Sequence, residues 1–355
     1  MLNYFVVKFG IAYIIDLILG DPRWLYHPVI IIGKLISFLE KFLYKAKNKI
    51  FSGAILNILT LSTTFIVSLL LARAGYVIEI FFLYTTFATK SLADEGEKVY
   101  NILKSGDIEK AKKELSYLVS RDTNTLSLDK IIMSIVETIA ENTVDGFISP
   151  AFFAFIGGFF YTEIFGKVVS LALPFAMTYK AINTLDSMVG YKNEKYIDFG
   201  KVSARVDDIA NFIPARLTGL IFVPLSSLIL GYNFKNSLKI FFRDRNKHSS
   251  PNSGQSESAY AGALGIQFGG KISYFGKDYE KQKIGDKLNF IYDFFPEFIK
   301  NYNIIKTIGE NYKHNDIFFD NKNFNGVKPG ISSKVIYNVK NISCVINSGR
   351  VVKDE

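Results

Sequence analysis

Hydrophobic and polar positions in this chain come in blocks. From Ser52 to Ala72, 21 consecutive residues carry no charged side chain. At about 1.5 Å per residue, a helix of that length spans the roughly 30 Å hydrocarbon layer of a bilayer. Residues 1–20 form a second apolar stretch, interrupted by Lys8 and Asp16. It lacks the cationic start and small-residue cleavage site of a secretory signal, so it reads as a retained membrane helix. Residues 146–178 carry only Glu163 and Lys167, and Gly157-Gly158 and Pro174 divide them into a helical hairpin or one long broken span. Residues 212–232 carry only Arg216, with Pro214 and Pro224. Residues 75–89, with Glu79, are short for a crossing; they read as a weaker span or as the return limb of a hairpin with 52–72.

Between these blocks lie polar stretches. Residues 91–145 predict helices: Ala111, Leu115, Leu118 and Val119 share one face of 108–119. Ile131, Ile132, Ile135, Val136, Ile139 and Ala140 share one face of 128–142. Residues 180–211 are dense in polar side chains, and 243–276 combine a basic run with a Gly/Ser-rich stretch. The chain reads as a mainly α, polytopic membrane protein. Its membrane-embedded catalytic domain covers 1–285, with polar helical loops forming the site. Residues 286–355 make a small tail of unknown role, α+β or irregular, Asn/Lys-rich from 314 onward.

Composition sharpens this picture. In 355 residues, 49% are hydrophobic and only 21% charged, which excludes intrinsic disorder. The mean hydropathy of +0.18 averages apolar blocks that hold five charges with a remainder that holds seventy. The net charge is +9, from 42 Lys+Arg against 33 Asp+Glu. Lys41, Lys45, Lys47 and Lys49 precede the first clear span, and Lys235, Lys239, Arg243, Arg245 and Lys247 follow the last, as in segments held on the cytoplasmic side. Apolar spans abut both clusters, so nucleic acid is rejected as a partner and the bilayer takes its place. Cys344 is the single cysteine and His27, His248 and His314 are far apart, which excludes a disulfide scaffold and a zinc finger.

The chemistry must therefore lie in the polar stretches. Glu137 and Glu141, four apart, stack on the face opposite the isoleucines, and Asp145 continues the row; only Lys130 offsets them. A cation such as Mg²⁺ would relieve the repulsion, while an ordinary solvated helix face is the alternative. Lys180, Asn183, Asp186, Lys192 and Glu194 crowd beside an apolar span; snorkelling accounts for the lysines but not for Asn183 and Asp186. Arg205 and Asp208 either pair on a helix or serve a site. Arg216, inside an apolar block, needs a carboxylate or phosphate partner. The loop after Arg243, with His248, Ser250, Asn252, Ser253 and Gly254, offers cations and backbone N–H groups together, which suits a phosphate or is simply a flexible loop. P-loop, Gly-x-Gly-x-x-Gly and Gly-x-Ser-x-Gly signatures are all missing, so covalent acyl-enzyme chemistry is unsupported.

Six strings in order carry a resemblance: LGDPRWLYHPV (19–29), LVSRDT (118–123), ETIAENTVDGFISPAFF (137–153), YKAINTLDSMVGYKNEKYIDFG (179–200), SARVDDIANFIPARLT (203–218) and RDRNKHSSPNSGQSESAYAGALG (243–265). Together they resemble the adenosylcobinamide-phosphate synthases of cobalamin biosynthesis, the CobD/CbiB family, over roughly 14–276. The resemblance implies a multi-pass enzyme of the cell membrane that uses ATP and Mg²⁺. It would join (R)-1-aminopropan-2-ol or its O-phosphate to a propionate carboxylate of adenosylcobyric acid, with other membrane enzymes of that pathway as associates. On this reading Glu141, Asp145 and Asp186 hold Mg²⁺. Lys180, Asn183, Arg205, Arg243 and Ser250, Asn252, Ser253 and Gly254 hold phosphates. Asp207, Asp208 or His248 serves as base. Trp24, Tyr26 and His27 either wall the corrin or anchor at the membrane interface. The resemblance fades after about Gly276.

Two competing classes are weighed against it. A polytopic transporter of an anionic substrate would also carry Asp16, Glu79 and Arg216 in apolar segments, but would not need such long polar motifs. A membrane CDP-alcohol phosphotransferase would need an Asp-rich pattern that is not matched around Asp145-Gly146. The site also poses a parity problem. If 180–211 and 243–276 face one side, one crossing at 212–232 cannot connect them. That segment must re-enter, or part of the site lies at membrane depth.

Overall fold

In the computed structural model, the described residues are 2–22, 24–119, 121–274 and 277–286, with five short strands between 320 and 353. They fall into two compact units, Met1–Ile102 with Ile108–Leu288, and Leu103–Asp107 with Asn289–Glu355. The first begins with α1 (Leu2–Leu19), α2 (Pro28–Leu43), α3 (Lys49–Ala74), α4 (Tyr76–Tyr84), α5 (Thr89–Lys104), α6 (Ile108–Ser116) and α7 (Leu128–Thr143). A π-helical turn, Val144–Ile148, carries α7 without a break into α8 (Ser149–Gly158). A β-hairpin follows, β1 (Tyr161–Ile164) and β2 (Lys167–Ser170), then α9 (Ala172–Val189), α10 (Lys201–Ala210) and α11 (Phe212–Leu217). A second π-helical turn, Thr218–Phe222, leads to α12 (Val223–Ile229), α13 (Phe234–Asp244) and α14 (Ser253–Leu264). The antiparallel ribbon β3 (Gln267–Tyr274) and β4 (Lys277–Gly285) closes this unit, pairing Gln267 with Gly285 and Tyr274 with Lys277. The second unit contains β5 (Asp320–Asn321), β6 (Phe324–Gly326), β7 (Lys334–Val339), β8 (Ile342–Asn347) and β9 (Arg350–Lys353) in an antiparallel meander. The rest of the predicted tail, 287–319 and the residues between these strands, lies outside the described residues.

Two helices, α1 and α3, turn much of their apolar surface outward, unlike those of a water-soluble domain. On α3 the buried face steps by four through Ser52, Leu56, Thr60, Thr64, Ser68 and Ala72, while Phe51, Ile58, Ile66 and Leu70 point outward and are exposed. The inward polar groups bond within the protein: Asn57 Nδ2 donates to Gly53 O and Ser203 Oγ, both at 2.9 Å, and Ser68 Oγ donates to Thr64 O. On α1, Phe5, Lys8, Ala12 and Asp16 face in, and Val6, Val7, Ile14 and Ile18 face out. Large contiguous apolar surface is rare on soluble monomers, whereas small and polar residues between helices are the rule in lipid. Lys49–Ala74 and Phe212–Ile229 are each long and apolar enough to cross a membrane, with mean hydropathies of 2.1 and 1.7.

Residues 146–178 follow the helical-hairpin alternative rather than the single broken span, with a β-hairpin at the tip. They hold ten-residue α8, a β-hairpin and the first part of α9, so α7–α8 and α9 run as two antiparallel helices with a β tip. Glycines allow the close approach: a Cβ on Gly157 would lie 2.3 Å from Leu171 O, and one on Gly158 would meet the Phe5 ring at 2.6 Å. Segment 212–229 likewise is one half of an out-and-back pair. Gly231, at φ +77°, and the Asn233 cap on Asn236 N turn the chain into α13, which returns to where the segment began. Arg216 at the start of the outgoing limb hydrogen-bonds Asn252 just beyond the returning one. Within the protein the two polar stretches thus meet through a pair of limbs, of which only 212–229 is long and apolar enough to cross a membrane.

Candidate functional site

The polar stretches converge where α7, α9, α10 and the start of α14 meet. The first π-helical turn matters here, because widening the helix by one residue re-aims Asp145 and frees the Gly146 carbonyl, which accepts from Ala88 N at 2.9 Å. Thr89 N donates to Asp16 Oδ2 at 3.0 Å, so the start of α5 is held by two partners at the rim of the site.

A buried chain of hydrogen bonds joins three of the helices. Tyr179 Oη lies 3.2 Å from Asp145 Oδ1 and 2.8 Å from Asn211 Oδ1. Ser149 Oγ donates to the same Asn211 oxygen at 2.6 Å, and Asn211 Nδ2 donates to Asp207 Oδ2 at 3.1 Å. Tyr179 has one hydrogen for two oxygens; donation to Asn211 leaves its lone pair for a proton carried by Asp145. Asn183 lies close enough to Asp145 to favour its ionised form.

The electrostatics are those of crowded carboxylates. Burial, then the charge of Glu141, pushes Asp145 up to about 7. Burial, then Asp145 and Asp186, pushes Asp207 up to about 8. Burial, then Asp208 and Glu141, pushes Asp186 up to about 6. Like charges in reach of one another cannot all ionise cheaply. Lys180 is the nearby cation; burial lowers it, and Asp145, Asp21 and Asp16 oppose that shift. The structure therefore gathers Glu141, Asp145, Lys180, Asn183, Asp186, Asp207 and Asp208 in one place, and adds Asp21, Tyr179 and Asn211. Asp21 stands in the DPRW string, where its exchange with Ser91 (2.8 Å and 3.0 Å) and its contact with His27 Nε2 (3.4 Å) could not be read.

Other sequence readings are corrected. Glu137 does not share a solvated face with Glu141: it is buried against Arg121 at 2.6 Å and Lys281 at 3.2 Å. Burial would raise its carboxyl, but Lys281 and Arg121 outweigh that and hold it low. Lys130, the offset read from sequence, donates instead to Gly269 O. Arg243 is taken up by Asp244, through Nε at 2.8 Å and Nη2 at 2.7 Å, and by Asp286 at 2.8 Å. It clamps the end of β4, whose Gly285 N also donates to Asp244. Arg216 has no carboxylate partner among the described residues. It donates to Phe212 O and Asn252 Oδ1, stacks on the Phe212 ring, and lies in electrostatic reach of Arg245. Arg205 and Asp208 make no ion pair within 4 Å among the described residues; Arg205 is exposed, yet close enough to offset the upward push of burial on Asp208.

The Ser/Gly-rich stretch is mostly not a loop. Ser253 and Gly254 already belong to α14, a helix buried over nearly its whole length, and only 249–252 form the turn before it. Ser250 Oγ accepts from Asn252 N and Ser253 N, Asn252 Nδ2 donates to Asp208 O, and Ser253 Oγ donates to Glu141 Oε1 at 3.0 Å. His248 Nδ1 accepts from Ser250 N, which leaves Nε2 to carry the hydrogen towards Glu257 Oε1 at 3.8 Å. Nδ1 is thus committed to ordering this turn. Glu257, buried and raised well above the ordinary carboxyl range by burial and then by Glu137 and Glu141, was not picked out from the sequence. Trp24 is 80% exposed and Tyr26 54%, so neither packs into the core.

The sequence model of the CobD/CbiB protein family matches residues 9–293. The chain belongs to this family. A CobD/CbiB relative from Clostridium perfringens, described as cobalamin biosynthesis protein CobD, is 48% identical over 291 residues, covering 79% of this chain and 88% of the relative. Proteins of the same description from Geobacter metallireducens and Citrobacter koseri are 46% and 42% identical, over 78% and 79% of this chain and 85% and 87% of theirs. No solved structure matches the chain. Family membership supports a role in cobalamin biosynthesis and small molecules of the corrinoid type as substrates.

Proposed function

We propose that the chain is a membrane-embedded, multi-pass ligase of the cell membrane. In this reading it condenses (R)-1-aminopropan-2-ol, free or as its O-phosphate, with a propionate carboxylate of adenosylcobyric acid at the expense of ATP. The observation that carries the reading is the convergence of Glu141, Asp145, Asp186, Asp207 and Asp208 on Lys180 and Asn183, formed from three of the six motifs. The outward apolar faces of α1, α3 and the 212–229 segment support the membrane setting.

The donors fit a hard divalent cation. They are carboxylate oxygens crowded within reach of one another, and Asp207 Oδ1 is buried with no partner among the described residues. Among the described residues no three His, Cys, Asp or Glu side chains stand at metal-holding spacing. That suits Mg²⁺, which takes one or two carboxylates and completes its shell with water and substrate phosphates. One or two of Glu141, Asp145 and Asp186 would hold it, and it would supply charge neutralisation to the transferring phosphoryl group.

The protein's own groups account for the rest. Lys180 would meet phosphate oxygens from the α9 side, with Arg216 and Arg245 on the α14 side in the role expected of Arg243 from its sequence context. The substrate carboxylate attacks the terminal phosphate, giving an acyl phosphate and ADP; the amine then displaces phosphate to form the amide. The ammonium must first lose a proton, and Asp207, held near 8, is matched to accept it. Asp208 lies nearer to Arg205 and Lys192, and His248 has no free lone pair. The test is to incubate protein-bearing membranes with adenosylcobyric acid, each amine, ATP and Mg²⁺. ADP and the condensed mass are expected. No ATP-dependent product with either amine refutes the ligase, and substrate flux into vesicles would favour a transporter.

A further inference from the structure

A cavity of about 240 Å³ lies between α1, the adjoining ends of α3 and α4, and the β1–β2 hairpin. Its lining includes Lys8, which is eight residues before Asp16 on α1 and thus about 12 Å along the helix from the rim of the carboxylate site. Lys8 Nζ bonds Glu79 Oε2 at 2.7 Å and lies 5.0 Å from the Tyr76 ring centre. The two residues are only 8% and 4% exposed. The hairpin is pinned over them, because Arg73 Nε donates to Ile164 O and Lys167 Nζ to Arg73 O.

Two buried polar atoms of the lining have no partner among the described residues: Glu79 Oε1 and the Tyr161 hydroxyl. Burying such atoms unmet costs stability, so an occupant must satisfy them. The charged groups facing the cavity are Lys8 from α1, Glu79 from α4 and Lys167 from β2, one net positive charge. The occupant must therefore bring acceptor oxygens with negative charge for the two ammonium groups and the phenol, and one hydrogen-bond donor for Glu79. The rim is apolar and aromatic, with Tyr4, Tyr76 and Val168 each more than half exposed.

We propose that this cavity holds the phosphate headgroup of a membrane lipid that also carries a hydroxyl or ammonium donor. The phosphate oxygens meet Lys8, Lys167 and Tyr161, the donor meets Glu79 Oε1, and the chains leave past Tyr4, Tyr76 and Val168. The assignment rests on the membrane reading above.

The test uses the full chain in nanodiscs of equal parts phosphatidylethanolamine, phosphatidylglycerol and phosphatidylcholine, with retained lipid measured by native mass spectrometry. Phosphatidylcholine has no headgroup donor, so either of the others should be retained over it by roughly fivefold, the ratio expected for one hydrogen bond. Val168→Trp fills the cavity and should abolish the preference while leaving ADP formation unchanged; Tyr161→Phe should weaken it. Equal retention of the three lipids, or a wild-type cavity holding water only, overturns the proposal. Displacement by soluble glycerophosphoethanolamine as effectively as by the lipid reassigns the site to free phosphate esters and overturns the lipid source. A chain that stays soluble without detergent overturns the membrane reading and this assignment with it. One that needs detergent yet binds lipid unselectively overturns the assignment alone.

Discussion

Glu137→Gln separates a structural carboxylate from a metal-binding one. The native side chain accepts from Arg121 at 2.6 Å and Lys281 at 3.2 Å, with Arg121 itself only 8% exposed. Gln is nearly isosteric, so no cavity forms; what changes is that two cations lose their counter-charge. Removing one partner of a buried ion pair costs about 3–5 kcal/mol. Lys281, a quarter exposed, can turn towards water, so Arg121 carries most of that cost and the lower half of the range is expected. At 1.36 kcal/mol per decade, about 3–4 kcal/mol shifts the unfolding equilibrium by between two and three decades. Glu141→Gln should behave differently, since Glu141 is exposed and accepts one hydrogen bond, from Ser253; about 1 kcal/mol or less is expected. The assay is denaturant unfolding of the full chain in detergent micelles, followed by circular dichroism, with Mg²⁺-dependent turnover measured on the same samples. Glu137→Gln should lose stability out of proportion to its effect at saturating Mg²⁺, and Glu141→Gln the reverse. A Glu137→Gln protein as stable as wild type that no longer responds to Mg²⁺ would refute the reasoning and restore the metal-binding row read from the sequence.

Further outcomes are expected elsewhere. Asp186→Asn should abolish Mg²⁺-dependent turnover in a protein that remains folded; near-normal activity removes Asp186 from the metal site. Asp145, Asp186 and Asp207 hold protons up to about 7, 6 and 8, whereas unfolded aspartates release theirs near 4. The folded state therefore binds more protons across that interval, so metal-free stability should fall as pH rises from about 4 to 8 and level off beyond both limits. If Mg²⁺ displaces one such proton, its apparent affinity should rise up to about tenfold per pH unit over the upper part of that range; a pH-independent affinity contradicts the assignment. Arg243→Met should lower stability by about 2 kcal/mol, because buried Asp244 loses a bidentate partner, and leave KM for ATP unchanged. Arg216→Met should raise KM for ATP. Gly53→Ala places a methyl 1.9 Å from Phe199 O and should cost more than the ~1–3 kcal/mol of ordinary overpacking, whereas Gly10→Ala, with nothing within 4 Å, should be neutral or slightly stabilising.

How much of this was legible in the sequence follows from the range of the interactions involved. The blocks of uncharged residues gave α3 and the 212–229 helix, because span length is a local property. The period of Ile131, Ile132 and Ile135 gave α7, and the ordered strings picked out residues that the fold brings together: Asp145, Lys180, Asp186 and Asp207. What failed depended on distant partners. Glu137 and Glu141 are indistinguishable by spacing, and only the arrival of Arg121 and Lys281 from elsewhere buries one and leaves the other exposed. Arg243 looked free because Asp286 lies 43 residues away. The Ser/Gly-rich run looked like a loop because small polar residues usually mean one; packed against Gly219 and between α13 and α7, the same smallness makes a buried helix. Tyr179 gave no signal of its own, as its role exists only in the network that joins Asp145 to Asp207 through Asn211.

The central claim is that a corrinoid carboxylate is activated by ATP at the carboxylate cluster. It is tested most directly with adenosylcobyric acid carrying ¹⁸O in its carboxyl groups, turned over with ATP, Mg²⁺ and aminopropanol or its phosphate by the purified full chain. The account predicts ADP, the condensed amide, and one ¹⁸O transferred to each inorganic phosphate released. Label appearing in AMP, or amide formed while the phosphate stays unlabelled, would contradict it.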